Sequence, residues 1–405
     1  MDPVRNPYSP GAGTRPPALV GREQEIDAMD VALQRILAGR DGRSQMLTGL
    51  RGCGKTVLLN EYEQLAGGRG FFHQHLEATE GEDLTVQLAA GIRRVLLAMD
   101  ARRRIGERIR VALGVLKAFS IRLPDGPELS IDVEPVHGPA DSGDLATDLA
   151  GLFVELGDVA RDHKTGVLLT VDELHFVSRH FLEALVMGLH RAAQLRLPIT
   201  IASAGLPSLP ALTGTAKTYA ERMFLWPVIG SLTSEQAREA LEVPAADEGV
   251  TFAEGALVRL IEITQGYPYF LQEFGAAAWD AAPGLERIEL EDVEASIPLA
   301  TAALDDGFFR VRVARTSDAE RLYLRAMAEL SPGAARSGEV AALLGKTMQA
   351  VAPTRDNLIK KTLCYSPRRG EIEFTVPMFD AFMRRWILEL PGSRRRPRAA
   401  RARRA

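Results

Sequence analysis

The stretch Gly49-Leu50-Arg51-Gly52-Cys53-Gly54-Lys55-Thr56 decides how this chain is read. It satisfies the pattern G-x-x-x-x-G-K-[ST] at every fixed position. A loop of this kind suits a group with dense negative charge held close to the backbone. Amide N–H groups wrap the charge, and glycines let the main chain come near and turn left-handed. Lys55 supplies a cation for the β- and γ-phosphates of a nucleoside triphosphate, and Thr56 offers a hydroxyl to Mg²⁺. The helix that follows directs its positive end at the phosphates.

The flanks have the character such a loop requires. Ser44-Gln45-Met46-Leu47-Thr48 reads as a short strand, and 57–66 reads as a helix stopped by Gly67-Gly68. A second segment complements the first. Val167-Leu168-Leu169-Thr170-Val171 is a nearly continuous apolar run that ends in Asp172-Glu173. Such a run is a buried parallel strand that presents carboxylates at its C-terminal edge. Asp172 is assigned to the metal and Glu173 to the attacking water. A lone helix cap would also explain an Asp at a strand end; the glycine loop upstream favours the chemical reading.

Composition bounds the rest. With 405 residues, 25% charged and 46% hydrophobic, the chain is that of a soluble globular protein of two or three domains. Its apolar runs are too short for a membrane span: the longest, 111–123, is broken by Lys117 and Arg122. Residues 1–17 are rich in Pro and Gly, lack an apolar signal core, and read as a flexible lead. The two cysteines, Cys53 and Cys364, give neither a disulfide framework nor a metal cluster, which points to a reducing cytoplasm. Net charge is −4, yet residues 394–405 hold seven arginines, so an acidic body carries a basic tail expected to be disordered. Contact with nucleic acid, an acidic partner or a membrane surface, or a solubilising role, all fit that tail.

Hydrophobic periodicity predicts helices over 23–38, 84–101, 144–162 and 178–195. Strands are expected over 70–76, 128–134, 197–203 and 225–229. His73 and His75 read as strand residues rather than ligands. From 231 onward the pattern turns helical, over 235–242, 252–264, 267–280 and 290–304. Thr233 and Gln236 supply a capping signal there. Over 317–391, three helices and two strands, 363–365 and 372–376, make a winged helix-turn-helix closed by a helix over 378–390.

Together these pieces resemble the AAA+ and STAND branch of P-loop ATPases, nearest to bacterial and archaeal ATPases related to origin-recognition initiators. The resemblance rests on Val20-Gly21-Arg22, the 49–56 loop, Asp172-Glu173, the strand ending at Ser203, Arg222, and Gly266-Tyr267-Pro268. It implies an α/β, three-layer parallel sheet of the ASCE type with a helical lid and a C-terminal winged helix. The domains would be a lead (1–17), an ATPase core (18–230), a lid (231–316), a winged helix (317–391) and a basic tail (392–405). The cofactors implied are ATP or ADP with Mg²⁺.

The resemblance also carries site roles. Val20, Gly21 and Arg22 would contact the nucleotide, with Val20 and Gly21 lining the adenine pocket. Ser203 would stand where the family places its first sensor, and Arg222 would neutralise γ-phosphate charge in its own subunit or a neighbour's. Tyr267 and Pro268 would cover the nucleotide from the lid. The lid helix reads Tyr269-Phe270-Leu271-Gln272-Glu273, without the arginine that initiators often carry, which favours a nucleotide-state switch over fast turnover. Two partner classes stay open. The winged helix, with Thr347, Gln349, Thr354, Arg355, Asn357, Lys360, Lys361, Arg368 and Arg369, fits duplex DNA as a replication or transposition accessory ATPase would use it. It equally fits packing against a protein partner, a second copy, or the chain's own nucleotide domain. No membrane partner is expected.

Overall fold

Five short apolar segments pair in parallel as one sheet. They are β1 (Ser44–Thr48), β2 (Phe72–Glu77), β3 (Val167–Asp172), β4 (Ile199–Gly205) and β5 (Phe224–Leu225), in the order β2-β3-β4-β1-β5. The computed structural model describes residues 1–387 apart from 12, 104–105, 123–132, 217–219 and 285. The arginine tail and most of the strand expected over 128–134 lie outside the described residues. The chain divides into two compact units, Met1–Ser296 and Ile297 onward.

Parallel strands need crossover connections, and helices supply them. After α1 (Glu23–Leu37), α2 (Lys55–Gly68) links β1 to β2. Then α3 (Leu84–Arg103), α4 (Glu107–Arg122) and α5 (Leu145–Asp162) link β2 to β3, and α6 (Arg179–Gln194) links β3 to β4. The last crossover, to β5, uses α7 (Leu209–Ala216) and α8 (Ala220–Met223). Side chains alternate between the two faces of the sheet. Thr170 and Asp172 face α2, where they bond Glu63 and Thr56. Leu169, Val171, Ile199, Ile201 and Met46 face the other way, into an apolar cluster shared with α3 to α6. The fold is a three-layer α/β sandwich.

A helical subdomain completes the first unit: α9 (Ser234–Asp247), α10 (Glu254–Thr264), α11 (Pro268–Ala281) and the start of α12 (Leu290–Ala303), with a small parallel pair β6 (Thr251–Phe252) and β7 (Arg287–Ile288). Both halves of the Thr233/Gln236 capping box are present. By itself, the second unit holds α13 (Arg310–Val313), α14 (Asp318–Glu329), α15 (Ser337–Leu343), α16 (Met348–Lys360) and α17 (Phe379–Trp386). Its antiparallel sheet has the order β8 (Ala335–Arg336), β10 (Glu371–Phe374), β9 (Cys364–Tyr365). Phe309, Phe379 and Phe382 form its aromatic core, with ring centroids 5.2 to 5.7 Å apart.

Four details depart from the sequence reading. Helix α4 occupies the stretch after residue 106 that showed no readable pattern. The strand expected over 197–203 runs two residues further, to Gly205, and the one over 225–229 shortens to Phe224–Leu225. Residues 1–17 are not a loose lead. Tyr8 is 5% exposed, and its hydroxyl donates to the Leu241 carbonyl at 2.6 Å. Asn6 Nδ2 donates to the Ala276 carbonyl at 3.1 Å, and the Ser9 amide to Gln272 Oε1 at 3.0 Å. The same strap then reaches α2, where Asn60 Nδ2 bonds the Gly13 carbonyl and Arg15 pairs with Glu61.

Candidate nucleotide-binding site

The loop over 49–56 joins β1 to α2 at the C-terminal edge of the sheet. Its glycines answer two distinct demands. Gly49 is squeezed: a Cβ there would lie 2.1 Å from the Ile229 carbonyl oxygen. Gly54, the N-cap of α2, has φ +94°, a left-handed conformation that side-chain-bearing residues rarely adopt. The loop is anchored on both sides. The Gly49 amide donates to the Gly205 carbonyl at 3.2 Å, and the Tyr269 amide donates to the Gly52 carbonyl at 3.2 Å.

Lys55 is buried, and its Nζ donates to the Gly49 and Leu50 carbonyls at 2.9 and 2.7 Å. The ammonium is thereby held inside the curl of the loop. Thr56 Oγ1 donates to Asp172 Oδ2 at 2.5 Å, so the loop hydroxyl and the strand-end carboxylate meet although they stand 116 positions apart in the chain. Asp172 Oδ1 accepts the Glu173 amide at 2.7 Å. Glu173 itself has φ +50° and ψ +35°, a strained choice for a glutamate, which turns the chain sharply out of β3.

Glu173 stands between two groups. Arg51 Nη2 lies 3.3 Å from its Oε1, and His175 Nδ1 lies 3.3 Å from its Oε2. Burial raises the Glu173 carboxyl above its ordinary range, while Arg51 pulls the other way. The histidine contact is not an ion pair. Burial, with the nearby charges of Arg51 and Lys55, pushes the His175 pKa down to about 3, so the ring is neutral. Neither ring nitrogen has a hydrogen-bond partner. Cys53 is buried with its thiol against the Leu50 carbonyl, and burial raises its pKa despite the adjacent Lys55.

The structure brings the other sequence-singled residues to this edge unevenly. Val20 is buried beside Gly21, whose Cα faces the Gln236 side chain of α9. Arg22 ties the back of the loop: its guanidinium donates to the Gly230, Cys53 and Gly21 carbonyls at 2.6, 3.3 and 3.1 Å. Tyr267 is buried as the N-cap of α11 with Pro268 at the first helical position, and a Cβ on Gly52 would lie 3.2 Å from its ring. Ser203 lies elsewhere. It is level with Met46 and Val171, on the face turned towards the α3 to α6 cluster and away from Asp172. Its hydroxyl is fully buried without a hydrogen-bond partner. Arg222 is exposed on the four-residue helix α8. Arg51 was assigned to nucleotide binding with the rest of the 49–56 loop; its pairing with Glu173 depends on the turn after β3, which no sequence pattern announces.

Fold and edge together define a P-loop nucleotide-binding protein with a parallel sheet. Residues 18–201 match the AAA ATPase domain family, and residues 306–383 match a domain of unknown function (DUF8462). Residues 18–201 are thus an AAA ATPase domain, of the P-loop class. No curated protein shows significant similarity to it. Among solved structures, it is similar to the Walker-type ATPase PABY2304 of Pyrococcus abyssi, at 13% identity and a TM-score of 0.60, over 93% of this chain and 99% of that one. That likeness concerns fold alone. Weaker likenesses are to the Aeropyrum pernix ORC1 protein in complex with DNA (15% identity, 91% and 93% covered, TM-score 0.42) and the Thermotoga maritima RuvB Holliday junction branch migration motor (14%, 87% and 92%, 0.42). No helix among the described residues is long and apolar enough to cross a membrane.

Proposed function

We propose that this chain is a slow, switch-like ATPase of the STAND kind, in which the bound nucleotide sets the position of the α9 to α12 lid and of a C-terminal winged helix. The observation that carries the reading is the bond from Thr56 to Asp172, with Glu173 next in the chain and the lid bonded to Gly52 through Tyr269. The residues fit a nucleotide with its divalent cation. The cradle of glycines, the buried Lys55 and the hydroxyl–carboxylate pair are the donor set such a group needs. In this reading Thr56 and Asp172 hold Mg²⁺, which when bound neutralises charge on the β- and γ-phosphates.

The chain's own groups do the rest. Lys55 exchanges the Gly49 and Leu50 carbonyls for phosphate oxygens. The backbone amides of 50–56 bind the phosphate chain, and the N-terminus of α2 adds its partial positive charge. Glu173, its pKa raised by burial, takes the proton of the attacking water. Val20 and Gly21 flank the base, Tyr267 and Pro268 close over the phosphates, and Arg222, exposed on α8, acts on a neighbouring copy. Core, lid, winged helix and tail follow the boundaries 18–230, 231–316, 317–391 and 392–405, in a cytoplasmic protein.

The reading of an accessory ATPase on duplex DNA has less support. Of the basic set on α16 and its C-cap, Arg355 pairs with Asp356 at 3.0 Å and Lys361 with Glu320 at 2.7 Å, which leaves less charge for phosphates. A protein partner or second copy is therefore favoured for that unit. The test of the whole reading is nucleotide binding. Lys55→Ala should lose ATP, whereas Glu173→Gln should bind ATP and turn it over about 10²–10⁴-fold more slowly. Normal ATP affinity in Lys55→Ala would falsify the loop assignment.

A further inference from the structure

The loop carries a second cation besides Lys55. Arg51, third residue of the octapeptide, sends its guanidinium to Glu173, with Nη2 3.3 Å from Oε1. Both side chains are about one quarter exposed, at 25% and 22%, so the pair lies at the mouth of the edge rather than inside the core. Arg51 Nε is buried and has no hydrogen-bond partner, so part of the donor fork is unspent. On the far side of Glu173 stands a neutral His175, which brings no charge. Arg51 is thus the cation set against the Glu173 carboxylate from within the loop itself.

Position gives this pair meaning. Lys55 and Thr56 mark where the β- and γ-phosphates lie, and Glu173 marks where the attacking water lies. A guanidinium paired with Glu173 from the loop stands at the γ end of the phosphate chain. An incoming triphosphate offers a denser negative partner than one carboxylate, and a guanidinium fork matches phosphate oxygens geometrically.

On the reading of the site given above, we propose that Arg51 is a further catalytic residue: an arginine supplied in cis by the phosphate loop, which leaves Glu173 for the γ-phosphate as the triphosphate binds. The exchange frees the Glu173 carboxylate. Water then attacks the γ-phosphorus while Glu173 takes one of its protons. The bond from the γ-phosphorus to the bridging oxygen breaks, and ADP leaves with that electron pair. Arg51 stabilises the charge on the phosphoryl group in flight, and the proton passes from Glu173 to the phosphate product.

The test uses the full chain with Arg51→Ala, Arg51→Gln and Arg51→Lys, each checked by its melting temperature; Arg51→Gln carries the test if the alanine variant does not fold. Single-turnover hydrolysis is measured with protein in excess, and affinities for fluorescent ATP and ADP analogues are titrated separately. The expected result is a loss of about 10³-fold or more in the single-turnover rate. ADP affinity should be kept, ATP affinity reduced, and the rate partly restored in Arg51→Lys. Hydrolysis at or above the wild-type rate in Arg51→Gln would overturn the proposal, as would equal losses of ADP and ATP binding. Lys55→Ala, run alongside, separates the two failures. If it too binds and hydrolyses ATP normally, the site reading falls; if it is inactive while the Arg51 variants are not, only the role of Arg51 falls.

Discussion

Replacing Tyr8 by alanine should detach the N-terminal strap from the helical subdomain of α9 to α11 without unfolding the sheet. The ring of Tyr8 lies directly on α11: a Cβ on Gly275 would be 3.0 Å from it. The side chain is 5% exposed, and its hydroxyl is 2.6 Å from the Leu241 carbonyl. Removing a buried aromatic side chain costs about 3–5 kcal/mol. The lost hydrogen bond is about 1 kcal/mol of that. The strap is a terminal segment held by a handful of bonds, so the cost falls on its local opening rather than on global unfolding. At about 1.4 kcal/mol per factor of ten, Tyr8→Ala should speed amide exchange of the strap by roughly 10²–10³-fold or slightly more. The Ser9 amide, bonded to Gln272, is the most direct reporter. Tyr8→Phe keeps the ring and removes only the bond to the Leu241 carbonyl, so its effect should be about fivefold. Hydrogen exchange read by mass spectrometry on peptides spanning residues 4–16 measures both. Unchanged exchange in Tyr8→Ala would show that the strap is held by something other than this anchor.

Further outcomes follow from the same geometry. Gly49→Ala should destabilise the first unit by about 1–3 kcal/mol, because the new methyl group meets the backbone oxygen of Ile229 and neither side can yield cheaply; a melting curve identical to wild type would contradict this. In the second unit, burial raises the Glu320 carboxyl, but the bonds from Lys361 and the Ser317 amide outweigh it and hold its pKa below the ordinary 4.5. A depressed carboxylate stabilises the fold above its unfolded pKa and loses that contribution as pH falls through the folded one. Glu320→Gln should therefore be less stable than wild type at neutral pH, with the gap closing below pH 4.5. A gap independent of pH in chemical denaturation would rule out the ion pair as its source.

Local signals carried most of the fold. The strand, glycine loop and helix over 44–68 follow one another without long-range information, and β3 is legible because its apolar run ends abruptly in two acids. Helices α9 to α12 lie within a few residues of their expected bounds, since caps such as Thr233/Gln236 are local chemistry. What escaped was non-local. Helix α4 buries Ile109, Ala112, Leu113, Val115, Leu116, Ala118 and Phe119 on nearly all sides, so it has no polar face to give it a period. The strap looked mobile from its Pro and Gly content, yet its anchors are bonds to residues 241, 272 and 276, far along the chain. Ser203 was singled out as a strand end; a two-residue extension of β4, with strict alternation of faces, sets it against the apolar cluster. Arg51 meets Glu173 only because the backbone after Asp172 turns left-handed.

Both native thiols are shut away: Cys53 is 1% exposed, Cys364 is not exposed at all, and burial keeps each in its protonated form. To a maleimide the chain is therefore silent. Dyes could be attached through Val258→Cys on α10 and Val31→Cys on α1, both sites on the surface, without first deleting either native cysteine. The distance between such fluorophores, followed one molecule at a time as nucleotide is exchanged, would make the proposed movement of α10 against α1 directly visible.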